Sequence, residues 1–211
     1  MIVFFDVDTQ NDFIKKHGKL AVPNAESILP NLKKLTDFAR KKGIRIYASV
    51  DRHFGDEEHR NSERELKKWG GPFPEHCMDG TEGQRKVKET EPKNPLYIEN
   101  RKLTDEEIER ALTWDGEIII EKQTYDVFDN PNTDILLKGV KAAVVYGVAT
   151  DYCVKAAVLG MRRRGIDVFL VVDAIKAVNA KKGDEEKALE EMRKAGAKEI
   201  KTSEVLKGKY F

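Results

Sequence analysis

The sequence predicts an α/β fold: a three-layer α/β/α arrangement around a central, mainly parallel sheet. Three observations carry this expectation. Apolar runs of strand length recur, and they are continuous rather than alternating, as in strands covered on both faces. Segments with apolar residues at helical spacing separate them, the alternation that builds a parallel sheet. Residues able to do chemistry follow the strands directly, at the edge where an open α/β sheet binds its ligands.

Met1 to Phe5 reads as the first buried strand. Ile28, Leu29, Leu32, Leu35 and Phe38 share one face of a helix over Glu26 to Lys42, and Gly43 stops it. Ile44 to Val50 is the second strand. Asp51 to Pro95 mixes Gly, Pro and charge, and reads as a long irregular excursion of the functional kind. Thr104 followed by Glu107 is a capping box that opens a helix to about Leu112. Glu117 to Glu121 is the third strand, and Lys141 to Gly147 the fourth, with an unassigned connection between them. Asp151 to Arg164 is a helix closed by Gly165. Ile166 to Val172 is the fifth strand, Lys182 to Ala195 a charged helix, and Glu199 to Thr202 a short sixth strand.

The length, 211 residues, fits one domain over 1–211, elaborated by the excursion at 51–95. A net charge of +1, from 38 basic and 37 acidic residues, gives no field for nucleic acid or a membrane surface. The longest apolar stretch, Ala142 to Ala149, is too short to span a bilayer. The chain passes from Met1 into a strand without a signal-peptide layout, so a cytoplasmic protein is expected. Two cysteines make no disulfide framework, so each thiol needs its own account.

The strands end in Asp8, Asp51, Lys122 and, after the fourth, Cys153. Each is ordinary alone: an Asp there is a turn former, a Cys a small apolar residue. Together they form a reactive set. Cys153 falls in the first turn of a helix, where N–H groups and the dipole favour a thiolate. Lys122 would add positive charge and Asp8 would take the thiol proton. Backbone N–H groups of Ala149 and Cys153 would meet a developing oxyanion. This set suggests acyl transfer through a thioester. Cys77, beside His76, is the rival nucleophile, ranked second because no helix start follows it.

Three of the four histidines, His53, His59 and His76, lie in the excursion. Asp51 and His53 form a D-x-H pair, and His59 and His76 would complete a set suited to one divalent ion, Zn²⁺ or similar. Solvated loop histidines are the plain alternative.

Four segments then resemble the nicotinamidases and isochorismatase-like cysteine hydrolases. Asp8-Thr9-Gln10-Asn11-Asp12-Phe13 resembles the family's D-x-Q-N-D-F. Asp51-Arg52-His53, with Pro74-Glu75-His76-Cys77 and Gly80-Thr81-Glu82-Gly83, resembles the metal loop of the nicotinamidases. Lys122 with Tyr125 and Phe128 resembles the lysine segment, and Gly147 to Val154 the nucleophile loop. The resemblance implies that Cys153 attacks an amide carbonyl, that Asp8 moves the protons, and that Lys122 stabilises thiolate and oxyanion. It implies a cis peptide between Val148 and Ala149. It implies a divalent ion, Zn²⁺ first with Mn²⁺ or Fe²⁺ as alternatives, that holds a pyridine nitrogen, and a ring flanked by Phe13 and Phe73, with Tyr125 also at the substrate. The small-molecule amide would be nicotinamide, cleaved to nicotinate and ammonia in pyridine-nucleotide salvage, by a homo-oligomer. The fourth ligand stays open among His59, Glu63 and Glu65.

Other readings stand beside this one. A related hydrolase would act on another small amide or a carbamoyl compound. Asp6-Val7-Asp8-Thr9 partly fits the haloacid dehalogenase-like D-x-D-x-T, with Asp6 as nucleophile, Asp8 as acid/base and Mg²⁺ as metal; its Thr comes one residue early. Asp6 also departs from the resembled family, which has an apolar residue there. A binding protein that has lost activity is the third reading, because fold does not fix function.

Overall fold

The computed structural model describes residues 1–210. Its strands are β1 (Ile2–Val7), β2 (Ile46–Asp51), β3 (Pro95–Ile98), β4 (Glu117–Lys122), β5 (Ala142–Val148), β6 (Asp167–Lys176) and β7 (Lys198–Ile200). They form one sheet in the order β3-β4-β2-β1-β5-β6-β7, and every pair is parallel. The helices are α1 (Asn11–Ile14), α2 (Leu29–Lys42), α3 (Asp105–Thr113), α4 (Thr133–Leu136), α5 (Lys155–Arg163), α6 (Asp184–Lys194) and α7 (Thr202–Leu206).

The sheet is buried on both faces, which is why its strands read as continuous apolar runs. On one side Leu32, Leu35 and Ala39 of α2 pack with Phe4, Val144 and Tyr146. On the other Ala157, Val158 and Met161 of α5 pack with Val3, Phe5 and Val145. Full burial of the Leu, Val, Phe and Met side chains among them contributes about 1.5–3 kcal/mol each. The chain leaves β1 towards β2 on one side and returns to pair β5 on the other, so the β1/β5 boundary is the switch point of the sheet.

Local signals act as the residues dictate. Gly43 takes φ +64° and its N–H closes α2 on Ala39 and Arg40. Thr104 and Glu107 make both bonds of the capping box. Gly147, at φ +122°, is the register partner of Val7, and a Cβ there would lie 2.0 Å from the Val7 carbonyl oxygen. Only glycine lets β5 run that close to β1.

The structure adds one strand and corrects three boundaries. β3, not foreseen, ends the excursion; it is four residues long, lies at the sheet edge, begins with Pro95 and exposes alternate residues, so its apolar run, Leu96 to Ile98, is too short to stand out as a strand. The helix expected from Glu26 begins as a 3₁₀ turn, Ala25–Ile28, and the one expected from Asp151 begins as a π turn, Thr150–Val154. The last strand is shifted to Lys198–Ile200, and Thr202 already belongs to α7.

Candidate active site

Four strand ends converge, and each delivers one side chain. Asp8 follows β1 at φ +47°, a left-handed turn that stops the strand. Its Oδ1 accepts the Ser49 hydroxyl at 2.6 Å, and its Oδ2 lies 2.8 Å from Lys122 Nζ, an ion pair rather than an aligned hydrogen bond. Lys122 ends β4 and is fully buried. Its ammonium also contacts Asp51 Oδ1 and lies 3.7 Å from Cys153 Sγ. Cys153 sits in the π turn after β5, where Tyr152 and Val154 both donate N–H bonds to the Ala149 carbonyl at 3.0 Å. The Val148–Ala149 peptide is cis, as the resemblance implies.

Electrostatics follow from burial and from this lysine. Burial pushes the Cys153 thiol well above its ordinary range; Lys122 pulls it back, while Asp8 and Asp51 add to the rise. The turn therefore does not yield the resting thiolate that a helix start alone suggests. Burial also raises Asp8 against the pull of Lys122, making it a stronger base than an exposed carboxylate. Burial opposes charge on Lys122, but Asp51 and Asp8 overcome it and hold the ammonium protonated.

Beside this trio lies a second cluster. Asp51, His53, Glu65 and His76 are all buried, and one ligand atom from each lies within 4.8 Å of the others. His76 Nδ1 donates to the Pro74 carbonyl at 2.7 Å, so its Nε2 is the free lone pair, 3.6 Å from Asp51 Oδ2. His53 Nδ1 is engaged by Glu63 Oε2, whose Oε1 accepts the Phe54 N–H at 2.6 Å. His53 Nε2 then lies 4.0 Å from Asp51 Oδ2 with no hydrogen-bond partner among the described residues. Two imidazole lone pairs and two carboxylates facing one another repel unless a cation lies between them. The protonation pattern agrees. Burial disfavours charge on His76, yet Asp51 raises it above the ordinary imidazole value. Burial, then Asp51, pushes Glu65 up to about 7. Burial would raise Asp51, but Lys122 and the imidazoles hold it well below the carboxylate range. Two nitrogens and two carboxylates suit a divalent ion of the Zn²⁺ kind.

His59 is not in this group, contrary to expectation. Its Nδ1 lies 2.8 Å from Asp56 Oδ1, its ring stacks on Phe54 at 3.8 Å, and its side chain is 35% exposed. The turn capped by Asp56 carries it outward, and Glu65 takes the fourth place. Cys77 fails as the rival nucleophile. It is buried outside the pocket, its N–H donates to Asp12, and both nitrogens of His76 face elsewhere.

Above both clusters opens a pocket of about 60 Å³. Cys153, Ala149, Asp51, Glu65 and His76 line it, together with Phe13, Phe73 and Tyr125. Tyr152 was not anticipated. It stands between Phe73 and Tyr125, with ring centroids 5.8 and 6.4 Å away. Glu65 Oε1 accepts the Tyr125 N–H, which ties the wall to the ligand cluster. Gln10 was also missed as a positioning residue: its amide grips both the N–H and the carbonyl of Asp51 at 2.7 Å. Asp6 does not line the pocket; it is sealed against Lys86 and Thr9, so the phosphatase reading has no accessible nucleophile.

Known proteins are similar to this chain over nearly its whole length. The chain is 28% identical over 207 residues to the nicotinamidase of Escherichia coli (strain K12), covering 90% of each. It is 26% identical over 205 residues to the nicotinamidase/pyrazinamidase of Mycobacterium tuberculosis (strain ATCC 25618 / H37Rv), covering 93% of this chain and 97% of that one. Among solved structures, the pyrazinamidase of Pyrococcus horikoshii in complex with zinc superposes with a TM-score of 0.73 at 30% identity, over 95% of this chain and 98% of that one. The isochorismatase domain model matches residues 2–204, the full span of the sheet that gathers these side chains, and the chain belongs to the isochorismatase family.

Proposed function

We propose that the chain hydrolyses nicotinamide to nicotinate and ammonia as a cysteine amidohydrolase. One observation carries this reading most: Lys122 Nζ lies 2.8 Å from Asp8 and 3.7 Å from Cys153, and Cys153 lines an aromatic-walled pocket together with Asp51, Glu65 and His76 of the four-residue cluster.

Cys153 Sγ attacks the amide carbonyl carbon as its proton passes to Asp8. Lys122 and the N–H groups of Ala149 and Cys153 meet the negative charge that develops on sulfur and oxygen. Asp8 gives the proton to the departing nitrogen, ammonia leaves, and the acyl group remains on sulfur as a thioester. Water then adds to that carbonyl, with Asp8 taking its proton and returning it to the thiolate. Phe13, Phe73 and Tyr152 flank the ring.

Asp51, His53, Glu65 and His76 would hold one divalent ion, Zn²⁺ before Mn²⁺ or Fe²⁺, which when bound supplies a Lewis-acid contact for a ring nitrogen. The reading includes one domain over residues 1–211, a cytoplasmic location and a homo-oligomer. Family resemblance supports these, and light scattering with cell fractionation tests the last two.

The test is ammonia release from nicotinamide by purified protein with Zn²⁺, Mn²⁺ or Fe²⁺, beside a Cys153→Ala control. Release that requires Cys153 establishes the reading. No release from nicotinamide, with release from another small amide or carbamoyl compound, keeps the chemistry and replaces the substrate.

A further inference from the structure

Asp6 is a buried acid with no part in the proposed chemistry. It is 2% exposed, and its Oδ2 lies 3.1 Å from Nζ of Lys86, whose side chain is 4% exposed. Thr9 Oγ1 donates to Asp6 Oδ1 at 2.8 Å and accepts from Lys86 Nζ at 2.8 Å. That hydroxyl has only one proton, so Thr90, 2.6 Å away, donates to it. All four polar groups are thereby paired.

A buried ion pair gives little net stability, because desolvation offsets the attraction; its best attested use is to fix position and register. Here the register is that of the excursion's return. Residues 83–87 run antiparallel beside residues 9–12. Val87 N–H donates to the Thr9 carbonyl at 2.9 Å, Asn11 N–H to Arg85 at 2.8 Å, and Asp12 N–H to Gly83 at 3.0 Å. Gln10 and Lys86 form the bridge between the two segments. Pairing of this kind can slip, since a shifted ladder makes similar backbone bonds. Lys86 reaches Asp6 in this register, and a one-residue slip would turn it to the other face. Gln10 carries the register onward. Its Nε2 donates to the Gln84 carbonyl at 2.8 Å, while the same amide holds both main-chain groups of Asp51.

We propose that the Asp6–Lys86 pair positions Asp51: it locks residues 83–87 against the turn after β1 and, through Gln10, sets where the Asp51 carboxylate meets Lys122, His53 and His76. Asp6 and Lys86 are positioning residues and touch no substrate. The inference rests on reading the Asp51 cluster as a metal site.

The test compares Zn²⁺ affinity and thermal stability in the full chain. Asp6→Leu with Lys86→Met replaces both charges by apolar groups of similar size and leaves no unpaired ion. The double variant is expected to melt within a few degrees of the wild type, yet to bind Zn²⁺ at least about tenfold more weakly in competition with a chromophoric chelator. Its turnover is expected to recover at saturating Zn²⁺. Asp6→Asn, which keeps the shape, is the second variant and shifts affinity in the same direction. Wild-type Zn²⁺ affinity in either folded variant overturns the positioning role and leaves the metal site standing. Zn²⁺ affinity that His76→Ala does not change in the wild-type background overturns the metal site itself, and this role with it.

Discussion

Lys122 and Asp51 are register partners at the ends of β4 and β2, and their side chains meet in a buried ion pair. Side chains at paired positions of parallel strands share a face, so the ladder itself sets this contact. The same ammonium reaches Asp8 and Cys153. One lysine thus joins the thiol and its acid to the cluster of metal-ligand type, and a change at either centre is felt at the other.

Cys153→Ala is expected to lower kcat by about 10⁴-fold or more, with an unchanged melting temperature, as removal of a nucleophile does. Lys122→Met is expected to act differently. It leaves Asp8 and Asp51 buried without their cation, at about 3–5 kcal/mol of stability in metal-free protein. Denaturant unfolding beside ammonia release separates the two. Equal stability for wild type and Lys122→Met would contradict the pairing.

His59→Ala is expected to leave Zn²⁺ affinity unchanged, whereas His76→Ala and Glu65→Gln weaken it sharply. Glu63→Gln is the finer case. Glu63 holds the His53 Nδ1 proton so that Nε2 faces the cluster, and removing its charge is expected to weaken Zn²⁺ about 10–100-fold. Calorimetric titration of each variant checks the ranking.

Metal-free protein is expected to lose stability between about pH 5 and 8. Glu65, at about 7, and His76 both stand above their ordinary values, 4.5 and 6.5. A group raised on folding stabilises below its unfolded value, and that contribution is lost as pH rises through the folded value. Both therefore act with the same sign in this window. Zn²⁺ affinity should rise over the same range, because the ion displaces their protons. Melting curves at stepped pH, with and without chelator, read both slopes, and Glu65→Gln should flatten the metal-free one.

Cys153 is expected to react slowly with iodoacetamide at pH 7, and faster as pH climbs beyond the ordinary thiol value of 9.0. Lys122→Met should slow it further, because the lysine is what pulls the thiol down. Zn²⁺ should speed it, by offsetting Asp51 and Glu65, which push the thiol up. Peptide mapping distinguishes this site from Cys77, which burial and Asp51 also raise.

The sequence by itself determined the layers and most of what meets at the strand ends. Continuous apolar runs of strand length, alternating with amphipathic helical segments, read as strands covered on both faces, and strand ends in a parallel sheet share one edge. Asp8, Asp51, Lys122 and Cys153 were legible for that reason, the histidines gathered in the excursion pointed to His53 and His76, and motif resemblance added Phe13 and Phe73. Tertiary structure alone decided which acid completes the cluster. Residues 56–65 are irregular, so no periodicity tells that His59 turns outward while Glu65 turns in. It also decided the state of the thiol, because a helix start is visible in sequence whereas full burial among carboxylates is not. Glu63 behind His53, and Lys86 beneath Asp6, lie 10 and 80 residues from their partners. Such pairs exist only once the excursion has folded back on β1, since local spacing carries no record of contacts that far apart.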